Sequence, residues 1–252
     1  MRIENSFIPA NGVGETTERE LWAQGSTDWN CFETSLVGPK TADNIESFIE
    51  TARRRLDAGD AAYFDEVFPS SERWRLYENF RDEACFFDIE TTGLNQEYNK
   101  VTTVSYHHAG ETTTLVRGDD LTADAVQAAV DDASLLVSFN GLRFDQPFLE
   151  TSFGIDVDCP HLDLMYPCKT LDLSGGLKTI EREIGLERDR PDISGQDAVR
   201  LWKEHEAGVD GALETLISYN REDAVNLKTL AETVTDRLHD RVFERARQRS
   251  VD

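Results

Sequence analysis

The polar and apolar positions change rhythm near residue 84. Before it, aliphatic and aromatic residues recur at helical intervals between glycines. After it, short apolar runs alternate with helical stretches. Residues 85–89 (CFFDI), 101–107, 112–117 and 135–139 (LLVSF) read as strands, with a turn at Ala109 and Gly110 joining the second to the third. Residues 121–132, 145–153, 177–184, 195–206 and 212–237 carry helical spacing, and 161–165 reads as a short strand or turn. Three strands in succession, then helix, strand and helices, is a mixed α/β order.

Four segments follow: small helices over 1–60, a helical linker rich in charges and aromatics over 61–83, an α/β domain over 84–238, and a basic helix end or tail over 239–252. The first segment holds an internal repeat. Val13-Gly14 is followed by Thr17 and Leu21, and Val37-Gly38 by Thr41 and Ile45. Each glycine is expected to open a helix whose inner face carries the aliphatic residue, and Gly25 to close the first of these helices. Trp22, Trp29 and Phe32 are expected to fill the small core there.

Composition narrows the class. Hydrophobic residues make up 39% of the 252, enough for a real core. No apolar run approaches the roughly 20 residues that span a bilayer. The start, MRIENSFIPANG, lacks a signal-peptide layout, so the expected location is the cytoplasm. Cys31, Cys85, Cys159 and Cys168 include no CxxC pair. Cys159, His161 and Cys168 lie near one another, but small half-buried thiols are favoured over a zinc site. The net charge is −23, with 6 Lys against 20 Arg. Such a charge repels a phosphate ligand in dilute buffer. The composition is similar to that of proteins from salt-loving organisms, where the Debye length shrinks to about 3 Å at 1 M salt and repulsion fades. Arg237, Arg241, Arg245, Arg247 and Arg249 form a C-terminal basic stripe that pairs with local acids or meets nucleic acid.

Three elements carry candidate chemistry. Asp88 and Glu90 stand two apart in an apolar strand, so they share a face. Two carboxylates there repel unless a cation lies between them, and oxygen-rich sites suit Mg²⁺ or Mn²⁺. Asp145 follows the run LLVSF and Asn140 to Phe144; alone it reads as a helix N-cap. Tyr219 and Asp223 stand four apart on the last long helix and share a face; alone they read as solvated surface. His161 and Asp163 read as turn or core residues, and Arg143, Lys169 and Arg190 as surface charges.

Taken together and in order, DxE on the first strand, Nx₃FD after a later strand and Yx₃D on a late helix resemble the DEDD exonucleases. The phrase FDIETTGL is nearly that family's whole first motif, and LKTIEREIG and YNREDAVNL resemble a group of prokaryotic ribonuclease-H-like domain proteins. The resemblance implies a ribonuclease-H-like α/β fold and 3′–5′ exonuclease activity on DNA or RNA. It implies two Mg²⁺ or Mn²⁺ ions held by Asp88, Glu90, Asp145 and Asp223, with Tyr219 orienting the attacking water, which places the chain in the tyrosine subclass. It also implies Thr92, Leu94, Asn140 and Phe144 at the substrate, Leu94 as a wedge beside the last base. The glycine turns GVGETTEREL and LVGPKTADNI resemble the helix-hairpin-helix motif, which lends backbone amides to a phosphate. Two other readings stay open: a structure-selective endonuclease on the same fold, and a non-catalytic nucleic-acid binder.

Overall fold

The computed structural model describes residues 1–248, which fall into two compact units. The first comprises residues 1–81 together with 233–248; the second comprises 82–232.

In the first unit, Gly14 and Gly38 stand in extended conformation and open α1 (Glu15–Ala23) and α2 (Pro39–Asp57). Leu21 and Ile45, the matched aliphatics of the repeat, are both buried, as are Trp22 and Trp29. Gly25 adopts φ +97° just past α1, where the Ser26 amide donates back to the Leu21 carbonyl and ends the helix. Only the short 3₁₀ turn Ile3–Asn5 precedes Gly14, and residues 24–38 separate α1 from α2. Two full helices joined by a tight glycine hairpin are therefore not the local geometry.

Residues 61–81, expected within a linker, are core. α3 (Ala61–Val67), the 3₁₀ segment Ser70–Leu76 and α4 (Tyr77–Phe80) bury Phe64, Trp74, Arg75, Leu76, Tyr77 and Phe80. Aromatics at helical spacing amid charges gave the surface appearance of a linker, but they point inward.

In the second unit, β1 (Ala84–Thr91) is the central strand of a five-stranded sheet ordered β3-β2-β1-β4-β5. β2 (Val101–His108) pairs antiparallel with β1, and β3 (Glu111–Val116) antiparallel with β2. After α5 (Ala123–Asp131), β4 (Leu135–Ser138) returns parallel to β1. α6 (Asp145–Phe153) then leads to β5 (His161–Asp163), parallel to β4. α7 (Met165–Thr170), α8 (Leu177–Ile184), α9 (Gly195–Glu206) and α10 (Ala212–His239) complete the order.

Alternation along β1 sorts its side chains. Cys85, Phe87 and Ile89 enter one apolar cluster with Val104, Val126, Leu136, Phe148 and Leu149. Asp88 and Glu90 project to the opposite face. α9 and α10 build a second cluster from Leu201, Trp202, Leu216 and Tyr219.

Residues 239–248 of the segment expected as a basic end or tail pack as part of the first unit. After α10 comes a π-helical turn, Asp240–Glu244, and then α11 (Arg245–Gln248). Phe243 is buried with its ring edge-on to Trp22 at 5.1 Å. Of the expected stripe, Arg247 pairs with Glu244 at 3.1 Å, and Arg249 lies outside the described residues. Among the described residues, no helix is long and apolar enough to cross a membrane.

Candidate active site

Why Asp88 and Glu90 sit where they do is set by the ladder. Their β2 partners are Ser105 and Thr103, small polar residues with no exposure. The register shifts between Glu90 and Thr91, a bulge that ends regular pairing just past the two acids. On the other side, β4 pairs with β1 only from Ala84 to Phe86. Beyond Phe86 the Ile89 amide therefore lacks a strand partner, and the Asp145 carboxylate accepts its hydrogen bond at 3.2 Å. Asp145 is thus not an N-cap: Phe144 holds that position and Asp145 is the first residue of α6.

The loop that delivers Asp145 is shaped from β5. One Asp163 carboxylate accepts backbone N–H bonds from Asn140 (2.7 Å), Leu142 (3.3 Å) and Met165 (3.0 Å). Asn140 takes φ +65°, a left-handed conformation that Asn tolerates. At Gly141 a Cβ would lie 2.1 Å from Ser138 Oγ, so only glycine passes there. Ser138 Oγ in turn meets His161 Nε2 at 2.7 Å. His161 and Asp163 support the loop from within the fold.

α10 supplies the remaining groups. Carboxylate oxygens of Asp88, Glu90 and Asp223 all lie within 4.8 Å of one another. Among the described residues, Cys159, His161 and Cys168 form no comparable group. Tyr219 stands one turn before Asp223 on the same face of α10, its phenol among Asp223, Glu90 and Asp88. Asn220, with no exposure, donates through Nδ2 to Asp88 Oδ2 at 2.7 Å and to the Asp88 carbonyl at 3.2 Å. Its Oδ1 accepts from Thr103 Oγ1 at 2.9 Å, which fixes the amide's orientation.

Two cations border the cluster. The Arg188 guanidinium binds Asp223, Glu181 (2.6 Å) and Glu222 (3.5 Å). Lys178 Nζ stands 4.6 Å from the centroid of the Tyr219 ring. Burial, then repulsion from Asp223 and Asp145, holds the Asp88 and Glu90 carboxyls well above the usual range. Burial likewise pushes Asp145 up to about 7 and Asp223 up to about 7, the latter against the pull of Arg188. The Tyr219 phenol is raised by burial and by Asp223, Glu90 and Asp88. Four carboxyls of raised pKa, offering oxygen alone, fit a hard divalent cation; deprotonation and charge neutralisation would come together on binding.

The expected substrate residues divide. Leu94 is 87% exposed on the β1–β2 loop. Thr92 is engaged inside that loop, its Oγ1 accepting from the Lys100 amide at 3.0 Å and donating to Asn99 Oδ1 at 3.2 Å. Phe144, half-buried, stacks tilted on Phe148 at 4.9 Å and packs in part against the core cluster. Asn140 donates its backbone N–H to Asp163, which fixes the loop at this residue. Lys178, Arg188, Thr103 and Asn220 were not singled out from sequence. For Lys178, Arg188 and Asn220 the only signal was a place inside the quoted phrases LKTIEREIG and YNREDAVNL or near them; Thr103, on β2, carried none.

Among solved structures, the chain is similar to Brucella melitensis NrnC bound to pGG, at 21% identity and TM-score 0.49, covering 69% of this chain and 82% of that one. It is also similar to a structure described as the apo form of a nuclease, at 20% identity and TM-score 0.47, covering 73% and 84%. Brucella melitensis NrnC with bound Mg²⁺ is matched at 20% identity and TM-score 0.44, covering 69% and 83%. No curated protein matches the sequence. The family model RNase_H_2, of the RNase_H superfamily, matches residues 85–235, which span the whole sheet and every acid of the cluster. With the β3-β2-β1-β4-β5 sheet and its helices, this places the chain in the RNase H superfamily.

Proposed function

We propose that the protein is a metal-dependent nuclease that hydrolyses phosphodiester bonds of DNA or RNA from the 3′ end, with a tyrosine in its third motif. One observation carries this reading: Asp88, Glu90 and Asp223 converge within 4.8 Å at the end of the central strand, with Tyr219 one helical turn from Asp223. Asp88, Glu90, Asp145 and Asp223 would hold Mg²⁺ or Mn²⁺. When bound, two such ions supply positive charge against the charge that builds on the phosphate and acidify the attacking water.

The chain's own residues do the rest. Asp145 ties α6 to β1 through the Ile89 amide, so the acids of two elements keep one spacing. Asn220 holds one Asp88 oxygen and leaves the other free to face the cluster. The Tyr219 hydroxyl, kept protonated by its surroundings, orients a water and does not serve as a base. Leu94, exposed past the bulge, would meet the terminal base.

The test is a panel of single- and double-stranded DNA and RNA, linear with a 5′ label or closed into a circle, in Mg²⁺ or Mn²⁺ at molar KCl. Stepwise shortening of linear strands with circles left intact is the expected result. Cutting of circles would make the protein an endonuclease. Zero turnover in wild type, Asp88→Ala and Asp223→Ala alike would leave a non-catalytic binder.

A further inference from the structure

Lys178 is the second residue of α8, where the pattern LKTIEREI places it beside the first buried turn. Its ammonium is shielded from solvent, yet it has no hydrogen-bond acceptor. Arg188, 5.7 Å from the same Tyr219 ring, is in the opposite condition, with three carboxylates about it. Two features draw the Lys178 charge to this place. The ring face of Tyr219 attracts a cation, and, against burial and the repulsion of Arg188, Asp223, Glu181, Glu222 and Glu90 exert a longer-range pull. Neither gives the three N–H groups an oxygen. A lysine that has lost its water without gaining an acceptor is prepared for an anion that brings its own oxygens. Gly176 caps α8 with no side chain, so the positive end of that helix adds to the attraction.

We propose that Lys178 Nζ is a phosphate contact, its flexible side chain turning out from the Tyr219 face to take a non-bridging oxygen of a substrate phosphodiester. This rests on the nuclease reading and names the residue by which an acidic protein would grip its substrate's backbone. The contact reads charge and not base identity, so it serves any strand that enters. It also accounts for two cations on one ring: Arg188 balances the carboxylates, and Lys178 is left for the substrate.

The experiment is fluorescence anisotropy with a labelled ten-nucleotide single-stranded DNA in Ca²⁺, over a KCl series, with the strand's length checked after each titration. Lys178→Met and Lys178→Gln are expected to weaken binding about tenfold at low salt. The slope of log Kd against log [KCl] is expected to fall by about 0.7, the share of one phosphate on a single strand. Lys178→Arg is expected to restore the slope. The Mg²⁺ isotherm and melting curve are expected to stay near wild type. An unchanged Kd and slope in both neutral variants overturns the proposal. Loss of the Mg²⁺ isotherm also overturns it, since Lys178 would then serve the carboxylates. If the slope changes but wild type cleaves no substrate in the panel, the phosphate contact stands and the nuclease reading fails. If wild type binds no oligonucleotide, both fail.

Discussion

Glu18 in the first unit and Asp223 in the second are carboxylates of nearly equal burial, at 1% and 4% exposure. Their surroundings differ. Glu18 accepts from Ser6 Oγ (2.8 Å), the Phe7 and Ile8 amides (2.7 and 3.1 Å) and Arg75 (2.8 Å). Arg75 completes the group by reaching Glu72 at 2.6 Å and lying over the rings of Trp22 and Trp74. Asp223 shares one arginine with Glu181 and Glu222 and faces Asp88 and Glu90 within 4.8 Å. A buried charge surrounded by donors holds a fold together, whereas a surplus of buried acid burdens the fold until something else arrives.

The comparison breaks most visibly at Asp88. Asp88→Asn is expected to cut turnover on a 3′-labelled strand by at least about a thousandfold, the scale of losing one dedicated charge-stabilising group. The same change should raise the melting temperature of the metal-free protein at alkaline pH, where ionisation of the buried cluster burdens the fold, by about 2–4 °C, and abolish the rise that millimolar Mg²⁺ gives wild type. A metal-free melting temperature that falls instead would show that Asp88 is as well paired as Glu18.

Neutralising the other carboxylate should act with the opposite sign. Glu18→Gln strands Arg75 without its main partner and is expected to cost about 3–5 kcal/mol in urea unfolding. Turnover per folded molecule should not change. A cost near zero would mean that the network contributes packing alone.

A smaller effect is expected at Asn220. Asn220→Ala frees the Asp88 carboxylate and should weaken Mg²⁺ binding, read by calorimetry, by about 10- to 100-fold. Thr103→Val, which removes only the donor that orients the amide, should give part of that loss. Equal affinity in both variants would show that Asp88 holds its position unaided.

The mildest test is pH. Asp145 and Asp223 titrate near 7 in the folded chain against an ordinary carboxylate value of 3.8. A raised folded pKa means the protonated form is favoured by folding, so its stabilisation is present below the ordinary value and lost as pH rises through about 7. Metal-free melting temperatures should therefore fall between pH 5 and pH 8, and Mg²⁺ should remove most of that fall while binding more tightly at the higher pH.

Much of the second unit was legible in the chain. The run CFFDI lies within β1, and 145–153, 177–184 and 195–206 match α6, α8 and α9, because each pairs a clear period with a boundary residue. α7 was missed: MYPCKT is too short for a period and carries an internal proline. In the candidate site, the strand period alone brought Asp88 and Glu90 to one face. Asp145 and Asp223 read singly as a cap and a surface charge, since a carboxylate's burial depends on elements distant in the chain. Lys178, Arg188 and Asn220 stayed hidden for that reason. Asn220 reaches Asp88 across 132 positions, and no local pattern records that pairing.

Gly141 touches none of the acids, yet a methyl group there would collide with Ser138. In a saturation scan scored by survival of activity, it should reject even alanine, as sharply as the acids do. Its variants would differ from theirs in losing expression level as well as turnover. Such a scan would therefore trace two outlines, one of the chemistry and one of the backbone corner on which Asp145 hangs, and solubility would tell the two apart.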